Sequence, residues 1–302
     1  MSRGLGEITA VAGLPDGVAF LAALVTGLGD VWFVFVLLGV LYWVGSALPG
    51  PVSLPRRRAA FAIALALGGL AATTALKELF RLPRPPGAAD PSGASLVPET
   101  LLPLYAEIGA ADGFGFPSGH AVAAVVVYGG LALLVGTRRG YVAGAALCVL
   151  IPLSRVVLGV HYLVDIVAGV AVGAAFLAVV YRVCGRGKNP GRAMFFALLA
   201  ALVGAAVSYS ADTMLALGGA LGGRISWGII GDAVTHETTT RAGGAASVAV
   251  GAAFGALFVS VYALDLAPYI GFLGMLVVLP GVFAAPLAGE AIARRLSALG
   301  SV

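Results

Sequence analysis

Apolar residues run along this chain in long blocks, with the polar residues gathered in the gaps between them. Blocks of about 20 residues, rich in Ala, Leu, Val and Gly, predict membrane-spanning helices. Barrel strands would instead alternate with period two. Val18–Leu48 is too long for one upright helix and carries Asp30. It predicts a partial or interfacial helix over Val18–Leu28 and a first span over Val31–Leu48. Further spans are predicted at Ala59–Phe80, Ser118–Gly136, Tyr141–Val160, Leu163–Val183, Met194–Ser210, Ala245–Leu264 and Tyr269–Ala288. Arg81–Pro117 is a polar break rich in Pro and Gly. Ala211–Gly243 is moderately apolar but interrupted by Arg224, Asp232 and Glu237, and its pattern alone leaves it open. The predicted fold class is all-α, a polytopic transmembrane helical bundle, with residues 1–192 as a core and 193–302 as additional C-terminal membrane helices. No repeat of fixed period stands out.

Composition strengthens this picture. Of 302 residues, 60% are hydrophobic and 11% charged, with a mean hydropathy of +1.02. A soluble domain is about 45–50% apolar and about 25% charged, so this chain lacks the polar surface of a water-soluble globule. Cys148 and Cys184 lie in or beside apolar blocks and read as small buried hydrophobes. Met1–Asp16 holds no compact apolar region of the kind that precedes a cleavage site. Trp32, Trp43 and Trp227 suit interfacial belts, and Asp30 and Asp212 read as interfacial or helix-packing residues. Gly pairs at four-residue spacing (Gly140/Gly144, Gly169/Gly173, Gly251/Gly255) would permit close helix approach.

The net charge of +4 matters less than its placement. Arg56–Arg58, Arg138–Arg139 and the group Arg182, Arg186, Lys188 and Arg192 fall in loops that alternate correctly to share the cytoplasmic side. The Arg81–Pro117 loop and the turn at His161 then face outward. Arg294 and Arg295 join the inner side only if Ala211–Gly243 contains one more crossing.

Three polar clusters end spans on that outer side: Lys77 to Arg84-Pro85, then Pro117-Ser118-Gly119-His120, then Ser154-Arg155 with His161 and Asp165. Charges near a bilayer core are costly and usually have a partner or a task. Lys77, Arg84 and Arg155 bring three cations to one face. A Ser-Gly turn opening a helix adds free N–H groups and a favourable dipole, which together make an anion site. His161 and Asp165, four apart, share a helix face. A carboxylate on one imidazole nitrogen fixes the tautomer and leaves the other as a nucleophile, while His120 can serve as general acid. His236 and Glu237 lack partners at ligand spacing, so no metal site is expected. Nucleic-acid and nucleotide binding also have no supporting motif.

These residues resemble the three-part signature of the type 2 phosphatidic acid phosphatase (PAP2) superfamily, relatives of the vanadium haloperoxidases. The signature reads Lys-x6-Arg-Pro, Pro-Ser-Gly-His and Ser-Arg-x5-His-x3-Asp. Each specified position is matched here in order, with 31 and 33 residues between successive parts. The resemblance spans roughly Val18–Gly185. It implies a helical membrane phosphatase acting on a lipid phosphate monoester or diphosphate, polyprenyl diphosphate included, through a phosphohistidine. It further implies phosphate binding by Lys77, Arg84, Arg155, Ser118 and Gly119, with His161 as nucleophile, Asp165 as its orienting partner and His120 as acid; Pro85 and Pro117 shape turns. The implied enzyme is a metal-independent hydrolase without cofactor, multi-pass in the cell membrane, with its active site on the extracytoplasmic side. Its implied partners are the substrate and membrane lipids. The rival readings are a lipid phosphotransferase using the same intermediate, or a non-catalytic lipid-phosphate binder or transporter.

Overall fold

The computed structural model describes residues 3–48, 50, 53–264 and 266–299, and they are helical with irregular connections. Along the chain run α1 (Glu7–Val11), α2 (Asp16–Gly27), α3 (Val31–Val44), α4 (Arg56–Phe80), α5 (Leu102–Gly109), α6 (Gly119–Ala123), α7 (Gly130–Val135), α8 (Arg138–Val157) and α9 (Leu163–Val183). After them come α10 (Pro190–Val207), α11 (Ala211–His236), α12 (Arg241–Ala263) and α13 (Pro268–Leu299). Seven of these, α4 and α8–α13, are long and apolar enough to cross a bilayer. Helices dominate because hydrocarbon offers backbone groups no water, so each must be paired within its own segment. Polar caps mark where several begin. Thr137 and Thr240 accept the N–H groups of Gly140 and Gly243, and Ser210 with Thr213 forms a reciprocal capping box.

The long apolar stretch after Val18 does break where Asp30 interrupts it, and α2 is bent 45° from the following helix. Three further features go beyond the sequence pattern. Ala211–Gly243 contains the unbroken α11, which carries Arg224 and Asp232 within an otherwise apolar helix. α13 continues past Ala288 to Leu299 through Pro280 and Pro286. The helix from Gly119 to Val135 includes a π-helical stretch at Ala124–Gly129, a local widening that often accompanies functional sites.

The helices form two compact units that interleave along the chain. The first comprises the residues up to Val34 together with Leu76–Ala178. Here α2 packs on α5 and α8, and bare backbone permits the closest helix approaches. A Cβ at Gly169 would lie 2.6 Å from the Ser118 carbonyl oxygen, and one at Gly144 would lie 2.7 Å from the Ala132 Cβ.

The second unit comprises Phe35–Ala75 and the residues from Val179 onward, with α13 packed on α11 and α12. Trp43, expected in an interfacial belt, is instead buried. Its ring fills the space left by Gly251, and its indole N–H donates to the Val282 carbonyl at 3.0 Å. Arg56 is likewise no loop charge. It begins α4, is buried, and donates to the Glu237 carbonyl and to Thr239 Oγ1 at 2.5 and 2.8 Å. Glu290, also buried, accepts from the N–H and hydroxyl of Thr240 at 2.8 and 2.9 Å. Both residues make hydrogen bonds that soften the cost of burying charge.

Candidate active site

The first unit gathers the three polar clusters. His161 sits in the short connection between α8 and α9, after Gly159, whose φ of 72° turns the chain back. Its ring is buried, with Nδ1 3.3 Å from Asp165 Oδ2. The same carboxylate oxygen accepts the Tyr162 N–H at 3.0 Å, so Asp165 caps the start of α9 while it holds the imidazole. Nε2 faces the opposite way and lies 2.8 Å from Arg84 Nη1. Arg84 is fixed by donating to the carbonyls of Asp112 and Val160, at 2.6 and 3.1 Å.

Arg155, in the last turn of α8, is buried and donates to Thr26 Oγ1 and the Ile108 carbonyl at 3.1 and 3.3 Å. Lys77 lies in the last turn of α4. Burial pushes the His161 imidazole well below the usual histidine range, and the nearby charges of Arg84, Arg155, Lys77 and His120 push it the same way. Burial also lowers the Arg84 guanidinium, opposed by the carboxylates of Asp112 and Asp165.

Ser118 precedes α6, and its N–H donates to the Asp165 carbonyl at 3.0 Å, which ties the second cluster to the third. Ser118 Oγ and Arg155 Nε are buried without a hydrogen-bond partner among the described residues, leaving two donors for an anion. His120 Nε2 lies 2.9 Å from Asp30 Oδ1. The interfacial or packing role read for Asp30 from sequence therefore gives way to a contact with an imidazole. Gly29 makes it possible, since a Cβ there would lie 2.8 Å from His120 Cδ2.

Two residues here were not singled out as site residues from sequence. Asp30 is 90 positions from His120, and its only advance signal is a carboxylate inside an apolar block. Arg3, whose Nη1 lies 3.1 Å from Asp165 Oδ1, carried no signal.

The architecture is that of a multi-pass helical membrane protein with two imidazole–carboxylate pairs set among cations. The sequence profile of the PAP2 superfamily matches residues 58–188. A decaprenylphosphoryl-5-phosphoribose phosphatase of Mycobacterium tuberculosis is 33% identical over 145 residues, covering 47% of this chain and 72% of that protein. Phosphatidylglycerophosphatase B of Bacillus subtilis is 31% identical over 84 residues, covering 25% of this chain and 41% of that protein. This chain belongs to the PAP2 superfamily. No solved structure matches it. The matched stretch contains Lys77, Arg84, Ser118, Gly119, His120, Arg155, His161 and Asp165, but neither Arg3 nor Asp30.

Proposed function

We propose that this protein is a lipid phosphatase that cleaves a phosphate monoester or diphosphate through a phosphohistidine at His161. The observation that carries the reading is the opposed pair of contacts on one buried ring, Asp165 on Nδ1 and Arg84 on Nε2. A proton held on Nδ1 leaves the Nε2 lone pair aimed at the cations, where a phosphate would sit. The incoming phosphate oxygens would draw the Arg84 N–H onto themselves and free that lone pair. Attack forms the N–P bond and breaks the P–O bond to the alcohol or phosphate leaving group. His120, with Nε2 on Asp30, would supply a proton from Nδ1 to the departing oxygen. Asp165 would meanwhile stabilise the imidazolium created at His161. Water, giving its proton to His120 Nδ1, would then break the N–P bond and release phosphate. Lys77, Arg84, Arg155, Ser118 and the N–H groups at the start of α6 would hold the equatorial oxygens through both steps. These fixed cations supply the charge neutralisation that a metal could otherwise provide, so the reading is metal-independent.

The names of the relatives support a substrate of the polyprenyl-linked phosphate or phosphatidylglycerol phosphate kind, both of which carry a phosphate at the end of a lipid. Counting crossings along the chain supports an outward-facing site in the cell membrane. With α11 as a span, Arg294 and Arg295 fall on the same side as the other basic loops, opposite His161. In this reading residues 1–192 carry the chemistry.

The test is phosphate release from detergent-solubilised protein given each class of lipid phosphate, with acid-labile phosphohistidine trapped by rapid quench. Release with water alone, undiminished by EDTA and blocked by orthovanadate, is expected. Release that requires an added alcohol would make the protein a phosphotransferase. Binding without turnover, or activity lost in EDTA and restored by a divalent metal, would refute the mechanism.

A further inference from the structure

One charged side chain outside the three-part signature contacts its first and third parts and packs over the residue that precedes the second. Arg3 lies before α1, outside the stretch matched by the superfamily profile. Its Nη2 donates to the Pro83 carbonyl at 2.5 Å, immediately before Arg84. Its guanidinium carbon lies 5.8 Å from the ring centre of Phe116, next to Pro117-Ser118, and 5.3 Å from that of Tyr162, next to His161. Its Nη1 forms an ion pair with Asp165 Oδ1 at 3.1 Å.

Asp165 explains why this matters. Its side chain is fully buried. Oδ2 is committed to His161 and the Tyr162 N–H, whereas Oδ1 accepts no hydrogen bond among the described residues. Arg3 is the cation that faces this second oxygen. A buried carboxylate with one oxygen uncompensated would rotate or recruit water, and the imidazole it holds would turn with it. The segment is also anchored independently of Arg3. Glu7 Oε1 accepts the Leu163 N–H at 2.9 Å at the start of α9, and Glu7 Oε2 accepts the Leu5 N–H at 2.5 Å. Gly4 passes so close to Tyr162 that a Cβ there would lie 2.9 Å from the ring.

We propose that Arg3 is a positioning residue that locks the Asp165 carboxylate and, through it, the attack angle of His161, while clamping the first and third signature segments together. This inference rests on the phosphohistidine reading. Arg3 touches neither substrate nor reacting atoms, so its removal changes orientation and spares phosphate binding. Misplacing a reacting group by about 1 Å can cost about 100-fold in rate.

The experiment compares wild type with Arg3→Ala, Arg3→Gln and Arg3→Lys, using dioctanoyl phosphatidic acid in detergent micelles. The expected result for Arg3→Ala is a kcat lowered about 10- to 100-fold with KM unchanged. Phosphohistidine should form more slowly by the same factor. Orthovanadate, which must bond to His161 Nε2 in five-coordinate geometry, should inhibit more weakly, whereas inorganic phosphate, held by the cations, should inhibit as before. Lys retains the charge opposite Asp165 and should recover part of the rate; Gln should not. Thermal melting of each variant separates this from unfolding, and Arg3→Lys keeps the test open if Arg3→Ala does not fold. A wild type that traps no phosphohistidine with phosphatidic acid or with any other class of lipid phosphate overturns the reading of the site. A wild type that traps it beside an Arg3→Ala variant that traps it equally fast overturns the role of Arg3 alone. Parallel losses in vanadate and phosphate affinity also overturn it, since they would place Arg3 in phosphate binding.

Discussion

His161 and His120 each sit against a carboxylate, but the two pairs are built differently and predict different losses. Asp165 is four residues from His161 and buried with it, while Asp30 reaches His120 from the bend between α2 and α3. Replacing His161 with Ala should abolish trapped phosphoenzyme with every substrate. Replacing His120 with Ala removes a proton donor, so its damage depends on the leaving group. An aryl phosphate with an acidic phenol should still phosphorylate His161 appreciably, whereas an alkyl lipid phosphate should barely do so. Rapid-quench trapping with both esters decides the matter, and phosphate trapped in His161→Ala but with neither ester in His120→Ala would reverse the roles. The low pKa of His161 adds a second prediction. Burial and the charges of Arg84, Arg155, Lys77 and His120 lower it, so protonation of the proposed nucleophile requires more acid than for a free imidazole near 6.5. The acid limb of kcat/KM should therefore lie below that value, and Arg84→Ala, which removes one cation, should move it upward. A limb that Arg84→Ala leaves in place would show that His161 does not set it.

At the scale of elements, close approaches without side chains place the chemistry. Gly29 lets the α2–α3 bend press against α8 and His120, since a Cβ there would lie 2.7 Å from Ile151 Cγ2 and 2.8 Å from His120 Cδ2. Gly29→Ala should thus displace the His120 ring and cost about 1–3 kcal/mol of stability from overpacking. The kinetic signature should be a partial copy of His120→Ala, with turnover of an alkyl phosphate falling more than that of an aryl phosphate. Equal losses on the two esters would point to general loosening instead. Gly169 has the corresponding task for α9 and α6, where the Ser118 carbonyl leaves no room for a methyl group. The spacing of Gly169 and Gly173 was visible in the sequence, but not that it would bring α9 against the turn carrying Ser118. Gly255, from an equally regular pair, has nothing among the described residues within 4 Å of where its Cβ would be. Spacing shows which glycines share a helix face, and only the neighbouring helix gives that face a use.

For the whole molecule, alternation of spans makes the orientation testable. A single Cys at exposed Glu99, in a background without Cys148 and Cys184, should react with a membrane-impermeant reagent in intact cells. A Cys at Arg139 should react only after lysis, and the opposite pattern would invert the topology. Helical class and most spans were legible in the sequence because the bilayer imposes a length and an apolarity that one segment must satisfy alone. The convergence of the candidate site was legible for a related reason. Its contacts are either local, like His161 with Asp165 at one turn of helix, or written in fixed spacings around turns. What the sequence did not determine depends on partners far away in the chain. The apolar pattern could not decide Ala211–Gly243, because a helix carrying Arg224 and Asp232 becomes a span only with neighbours to pack against. Arg56 reads as a loop charge until Glu237 and Thr239 supply the acceptors that let it be buried. Asp30 and Arg3 became part of the site only when folding set them against His120 and Asp165. A buried charge is tolerated only where hydrogen-bond partners or an opposite charge meet it, and folding decides where those partners stand.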